Sequence, residues 1–497
     1  MRGIIMKEIQ LAFITSPMTT RWLRILTIIE KDNSFKLGEL ADRLSVSQRT
    51  LVKDISSIKA HFDNSINLYS NNNGYHFEEV NRILYQEKKD QLLETEPLFE
   101  IISHIFFGDV KTIDELAHHY NYSESTFRRF FIKIQSTFKT YNLKLSFVPV
   151  NIQGDEGSIR KFFFDFYYGS EHIPHTVRPP EGLHTAIIQE LADELGNYEV
   201  GTGLSISAFY SLLYISIVRV EQGHFISMPQ WARDLVYKEK DFRLLKLLLP
   251  IIKREYGIVL PEDELVWLHL SIVSNRPVIR IDKEILFLER FNRWPQIKPA
   301  VKNYLSNSTF DRWNRMSLET IFTAFLVSRK LNEEICETWN KNQVEEIALV
   351  KENYPRAYEG SQKFLKSHET ILNFSNQYSE DIAVGLTIVS NLVIHCYQPE
   401  KNILFLLEGD PLIVQSIRFQ ARRLLENQYH LTFVSLHELS EEFLKSENTD
   451  LIVTNYRPYI FDYGLVEDYI LVNTIPTEKD WEKVQDYLDP LSEQFSL

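Results

Sequence analysis

Two stretches near the N-terminus place apolar residues at helical spacing on either side of a short polar break. In FKLGELADRLSVSQRTLVKDISSIK (35–59), Leu37, Leu40, Ala41 and Leu44 recur at i, i+3, i+4 and i+7 and mark one helix face. Ser47 follows as an N-cap, and Leu51, Ile55 and Ile58 resume the period. Two short amphipathic helices joined by a tight turn are predicted, the helix-turn-helix pattern. Their apolar face leaves Gln48, Arg49 and Lys53 outward, side-chain types that reach phosphates and base edges from a recognition helix. The run INLYSNNNGYHF (66–77) brackets an Asn-Asn-Asn-Gly turn with strand residues and predicts a hairpin behind the second helix, a wing.

The pattern returns 76 residues later in TIDELAHHYNYSESTFRRFFIKI (112–134). Leu116 and Ala117 fall under Leu40 and Ala41, Ser123 under Ser47, and Thr126 under Thr50. Phe127, Phe131 and Ile134 take the places of Leu51, Ile55 and Ile58. LKLSFVPVNIQG (143–154) supplies a second wing, and a helical spacer is expected around 80–107. One such match is weak evidence, whereas two matched copies with hairpins behind them form a repeat. The candidate DNA-contacting residues are Ser47, Gln48, Arg49, Thr50 and Lys53 in the first copy. In the second they are Ser123, Ser125, Thr126, Arg128 and Arg129, with Arg128 and Arg129 aligned with Val52 and Lys53.

From about 158 to 399 helical patterns dominate, among them 207–226, 241–257, 263–273, 318–340 and 380–397. This length suits two bundles that divide between Arg276-Pro277 and Arg290. After Pro399 the runs ILFLLEG (403–409), HLTFV (430–434), DLIVTN (450–455) and DYILVN (468–473) alternate with helical stretches at 411–427, 437–446 and 478–488. That is the signature of a small parallel α/β sheet. The expected fold is mainly α, in five parts: a winged module at 1–80, a spacer and second winged module at 81–165, bundles at 166–285 and 286–399, and an α/β domain at 400–497.

Charge refines this picture. The 497-residue chain carries a net charge of −14, which argues against indiscriminate nucleic-acid binding. Residues 1–165 hold 21 Lys and Arg against 21 Asp and Glu, so the whole excess lies downstream. DNA contact must then come from a few placed cations. The two cysteines, Cys336 and Cys396, have neither zinc-site nor disulfide-framework spacing. Lys7 and Glu8 break the apolar N-terminal stretch, so no signal peptide is expected. The greasy run 204–218 is too short and too rich in serine to span a bilayer, and a cytoplasmic, membrane-free protein follows. HIPHTVRPPEGLH (172–184) has three histidines in a Pro-rich loop without an HExxH helix, and no metal site is expected there. No phosphate-cradling or nucleophile motif occurs, so neither cofactor nor enzymatic centre is predicted.

The order of parts resembles the Mga/AtxA-type virulence regulators of Gram-positive bacteria over essentially the whole chain. SVSQRTLVKDI, NNNGYHF and NIQGDEGSIRKFFFDFYY (151–168) carry the likeness most specifically. The resemblance implies that the bundles are PTS regulation domains, phosphorylated on histidine by the sugar phosphotransferase system. It also implies an EIIB-like last domain that serves in homodimerisation. His269, in EDELVWLHLSIV, best matches the regulatory position, and His224 is a weaker candidate; neither His368 nor His395 has a defensible match. Leu212 stands where a histidine would be expected, seven residues before Arg219. The loop after the first strand reads Leu407-Glu408-Gly409-Asp410 and lacks the cysteine of an active EIIB, which points to lost phosphotransfer. The expected function is gene activation through double-stranded DNA, with a PTS phosphocarrier as a candidate partner. A sugar-operon activator under phosphotransferase control and a scaffold that does not touch DNA are the alternatives.

Overall fold

The computed structural model describes residues 6–71, 74–183, 185–187, 206–277, 281–306, 315–396, 401–426, 429–434, 449–458, 460 and 468–488. Asn72 and Asn73 of the first wing, His184, residues 278–280 at the expected bundle boundary and the expected helix at 437–446 lie outside them, as do the side chains of His395 and Cys396. The described residues of 1–301, 320–349 and 362–385 form one compact unit, and those of 302–319, 350–361 and 386–497 a second.

The first unit opens with a short helix, α1 (Glu8–Leu11), then α2 (Pro17–Asp32). Ser16 caps α2 by accepting from the Thr19 amide at 3.2 Å, and Pro17 occupies the first turn, where its missing N–H costs nothing. After β1 (Ser34–Phe35) come α3 (Leu37–Arg43), α4 (Gln48–Phe62), β2 (Ile66–Asn71) and β3 (Gly74–Glu79). β3 lies between β1 and β2 and pairs antiparallel with both, with Asn71 opposite Gly74. Gly74 sits at φ 129°, and a Cβ there would stand 2.6 Å from the Phe35 carbonyl oxygen. Only glycine lets the wing close onto β1.

The second module follows α5 (Arg82–Gln91) and comprises α6 (Pro97–Phe106), α7 (Ile113–His119), α8 (Glu124–Lys139), β4 (Lys144–Phe147) and β5 (Val150–Gln153). α6 is buried along most of its length, so within the predicted spacer it is a core helix. β4 and β5 pair antiparallel from Lys144–Gln153 to Phe147–Val150.

α9 (Glu156–Tyr167) is buried on nearly every side. Phe162, Phe163, Phe166 and Tyr167 fill its surroundings, and its charges are paired internally. Arg160 grips Glu264 with two bonds, both side chains fully buried, and also reaches Glu156 at 2.9 Å. Burial alone would raise the Glu156 carboxyl, but Arg219 and Arg160 hold it below its usual value. At the start of α9, a Cβ on Gly157 would lie 3.0 Å from Cys336 Sγ and 3.1 Å from Cys336 Cβ. Burial, with the Asp155 charge nearby, pushes the Cys336 thiol up to about 12 and keeps it protonated.

The helices beyond are α10 (Ile206–Glu221), α11 (Gln230–Val236), α12 (Lys240–Lys246), α13 (Leu248–Tyr256), α14 (Glu262–Ser274), α15 (Ile281–Phe291), α16 (Ile297–Ser306) and α17 (Arg315–Cys336). The single helix expected at 241–257 is two. Pro250 cannot donate to the Lys246 carbonyl, and its ring crowds that position, so the chain restarts after Leu247. The helix expected at 318–340 ends at Cys336 and continues as a 3₁₀ turn, Glu337–Asn340. α18 (Val344–Asn353), α19 (Pro355–Ser367), α20 (Glu369–Leu372) and α21 (Ser379–Cys396) complete the helical region.

In the second unit, β6 (Asn402–Leu406), β7 (His430–Val434), β8 (Leu451–Thr454) and β9 (Tyr469–Leu471) form a parallel sheet in the order β7-β6-β8-β9. α22 (Pro411–Leu425) and α23 (Glu478–Leu488) cover it, burying Ile417, Ala421, Trp481 and Val484 against Ile403, Phe405 and Val453. The mainly α fold with a C-terminal α/β sheet is the one the hydrophobic pattern predicted. No described helix is long and apolar enough to cross a membrane.

Candidate nucleic-acid interface

The two helix-turn-helix units share the hydrogen bonds that set their turns. In the first, the Val46 amide donates to the Ala41 carbonyl at 3.0 Å, and in the second, Tyr122 donates to Ala117 at 3.0 Å. The turn residue takes left-handed backbone in both, Ser45 at φ 53° and Asn121 at φ 56°. Leu40, Ala41, Leu51, Ile55 and Ile58 are buried in one copy, and Leu116, Ala117, Phe127, Phe131 and Ile134 in the other. The apolar faces fix which residues point out.

Each recognition helix begins with a serine cap. Ser47 Oγ accepts from the Thr50 amide at 3.1 Å, and Ser123 Oγ from the Thr126 amide at 3.2 Å. The hydroxyls of Thr50, Ser125 and Thr126 lie 2.8, 2.8 and 2.9 Å from these serines. Ser47, Thr50, Ser123, Ser125 and Thr126 thus close the helix starts, and the first job of their hydroxyls is internal. They remain at the surface, where an oxygen with a second lone pair still has capacity for a ligand.

Gln48, Arg49 and Lys53 are exposed on α4, and Arg49 and Lys53 have no ion-pair partner among the described residues. On α8, Arg128 lies 3.6 Å from Glu124 in a half-exposed i,i+4 pair of the kind worth a few tenths of a kcal/mol. Arg129 is exposed and reaches Thr126 Oγ1 at 3.4 Å. Each recognition helix therefore presents two cations to solvent within its first two turns. Lys133, one turn further and also exposed, is engaged within the protein and donates to the Ile14 carbonyl at 2.9 Å.

Three features escaped the sequence reading. Val52 and Ile132 are exposed on α4 and α8, at 45% and 64%, where apolar side chains can meet thymine methyl groups. Ile132 falls off the Phe127–Phe131–Ile134 stripe, and that offset was the available signal. Lys144 is exposed on the second wing. Asp54, a carboxylate on the recognition helix itself, is buried and holds α4 to α2 through Arg21 and the Trp22 indole N–H at 3.3 Å.

The histidines are placed differently from one another. His224 is exposed in the loop after α10, and its backbone carbonyl accepts from Arg160 at 3.3 Å. His269 is fully buried on α14, its ring near Phe242 and Phe291. Neither His269 nitrogen has a hydrogen-bond partner among the described residues. Burial, helped by the Arg290 charge, lowers its pKa to about 3. The unfolded chain takes up this proton near pH 6.5 and the folded chain only near 3. Stability from this group is therefore complete above about pH 6.5 and falls by about 1.4 kcal/mol per unit as pH drops toward 3. Urea unfolding of native chain and His269→Leu between pH 7 and pH 5 should show a shallower loss in the variant. Equal slopes would mean that His269 does not titrate this way. Of the Pro-rich loop's histidines, His175 Nε2 lies 3.2 Å from the Glu94 carbonyl and its ring stacks on Phe99. No metal-ligand cluster occurs among the described residues.

Residues 77–167 match the family model of the Mga helix-turn-helix domain, and residues 21–76 match that of a helix-turn-helix domain. The chain is 24% identical to the capsule synthesis positive regulator AcpB of Bacillus anthracis, over 94% of this chain and 98% of that one. It is 22% identical, over 89% and 92% of the two chains, to a Streptococcus pneumoniae protein named as a trans-acting regulator. A third relative, the capsule synthesis positive regulator AcpA of Bacillus anthracis, is 26% identical over 43% of this chain and 46% of its own. The two N-terminal modules are helix-turn-helix DNA-binding domains, and the chain is similar along its length to transcription regulators of the Mga/AtxA type.

Proposed function

We propose that this DNA-binding regulator activates transcription of virulence or metabolic genes by laying both recognition helices on one duplex, and that it acts by binding without catalysing a reaction. The observation that carries this reading is the register-matched pair of helix-turn-helix turns with exposed cations on both outer faces. Arg49, Lys53, Arg128 and Arg129 would set register on phosphates, and Gln48, Val52 and Ile132 would read base edges. Each module alone binds weakly, and linking two in one chain multiplies affinity through effective concentration. The acidic remainder of the chain suppresses binding elsewhere. The relatives named as positive regulators of capsule synthesis support an activator of surface or virulence genes.

Pairing of two copies through the C-terminal domain would double the number of modules on the site. The exposed Leu412 and Phe419 on α22 favour that reading, because large apolar side chains on one helix stripe gain from being covered. Control by a PTS phosphocarrier would act at His224 as the molecule stands, and at His269 only after the bundle opens. Fluorescence anisotropy with a labelled duplex of about 40 base pairs tests the core of the proposal. Binding that weakens steeply with salt supports it, and no binding at low salt would sink it.

A further inference from the structure

A cavity of about 300 Å³ lies inside the first unit, where α9, α10, α14, the C-terminal part of α17 and residues 339–346 converge. Its lining is rich in cations. Lys161, Arg329 and Lys341 face it, with Lys7 at the rim, against only two carboxylates, Asp165 and Glu346. Asp165 is already engaged by Lys161, at 2.6 and 2.7 Å, and by the Tyr141 hydroxyl at 2.9 Å. Glu346 pairs with Lys7 at 2.9 Å and is half exposed. Arg329 and Lys341 are left without an ion pair among the described residues.

Their remaining bonds go to neutral groups. Arg329 Nη2 donates to the Ser274 carbonyl at 3.2 Å, while its buried Nε has no acceptor among the described residues. Lys341 Nζ donates to the Asn342 carbonyl at 3.0 Å and lies 4.8 Å over the Tyr141 ring. Asp165, Asp381 and Glu345 act on Lys341 only through space. Two further buried donors that line this space or its wall, Trp339 Nε1 and Ser271 Oγ, also lack a partner among the described residues. Unmatched buried donors and uncompensated cations are each costly. Burial lowers Arg329 to about 10, with Arg276 adding to the effect, and lowers Lys341 as well. A bound anion would relieve all of these costs together.

We propose that this cavity binds a small phosphate-bearing anion, either free phosphate or the phosphate monoester of a small metabolite, clamped between Arg329 and Lys341. Two cations in excess of the carboxylates match a dianion. A guanidinium, an ammonium, an indole N–H and a hydroxyl around one space suit a tetrahedral oxyanion with several acceptor oxygens better than a carboxylate. The volume is at the low end for ligand pockets and limits the rest of the molecule to a few atoms. The site also has a route to the DNA-binding modules. Lys7, Lys341, Gln343 and Glu346 line, on their other side, a groove of about 950 Å³ walled by α1, α2, the first helix-turn-helix turn at Arg43–Ser45 and the end of α8. An anion that fixes Lys341 stiffens this shared wall, and so acts as an effector.

Thermal unfolding of the full chain at constant ionic strength, with sodium phosphate, glycerol phosphate or sodium chloride alone, tests the proposal. Either phosphate compound should raise the melting temperature saturably while chloride does not. Calorimetric titration should then show at least tenfold weaker binding in Arg329→Gln and Lys341→Met, and unchanged binding in Lys31→Gln, which lines only the neighbouring groove. Should Arg329→Gln fail to fold, the partly buried Lys341 carries the comparison. Saturation by glycerol phosphate alone identifies a metabolite ester, and by phosphate alone the free ion. No saturable shift with either compound, or unchanged binding in Lys341→Met, overturns the proposal. The readout involves no DNA, so its failure and the failure of the regulator reading are separable.

Discussion

Replacing Arg49, Lys53, Arg128 and Arg129 together by alanine is expected to weaken DNA binding about 100- to 1,000-fold near 0.15 M salt. Each phosphate contact contributes roughly −0.9 to the slope of log affinity against log salt, so four lost contacts should flatten that slope by about 3 to 4. The four side chains are exposed and none holds the fold together, so the melting temperature should barely change. Anisotropy across a salt series separates the outcomes. Lower affinity with an unchanged slope would mean that these residues read bases rather than phosphates. Affinity and slope both unchanged would place the DNA surface elsewhere.

Glu264→Ala should cost the first unit about 3–5 kcal/mol, the largest stability loss expected of any single substitution considered. The change removes the partner of a fully buried guanidinium and also the acceptor of the Ile226 amide at 2.9 Å. Arg160 would keep only Glu156, Ser216 and a backbone carbonyl. Urea unfolding followed by tryptophan fluorescence reads this directly, because Arg160 lies 5.2 Å over the Trp267 ring. Arg160→Met combined with Glu264→Leu should recover much of the loss, since no uncompensated charge then stays buried. If the double variant is as unstable as the single, the pair matters for shape rather than for charge.

The winged modules were legible because their information is local. Apolar spacing, a serine cap and a hairpin turn lie within about forty residues, and a second copy at offset 76 checked the first. The parallel sheet was legible for the same reason, since strand runs such as HLTFV and helix starts such as Asp410-Pro411 are short-range signals. What was missed depends on distant partners. Asp54 reads as a surface carboxylate until Arg21 and Trp22 are seen to enclose it. No spacing rule pairs the charges of α9, since Arg160 finds Glu264 more than a hundred residues away. His269 could have been a surface phosphoacceptor or a core residue on its pattern alone, and packing by Phe242 and Phe291 decides for the core. The cationic cavity joins Lys161, Arg329 and Lys341 from separate parts of the chain, and no spacing rule relates them.

The contact between Gly157 and Cys336 sets the mechanics of the first unit. With the Cys336 sulfur only 3.0 Å from where a Gly157 methyl group would sit, the start of α9 and the turn at 336–340 are packed too closely for a side chain to stand between them. Ser158 and Thr338 pin the same joint with hydroxyls 2.7 Å apart. Moving the two segments apart has to break both contacts at once, so the joint would act as a latch, seated or lifted. Signals that cross it would therefore arrive as a two-position change in the regulator, not as a graded bend.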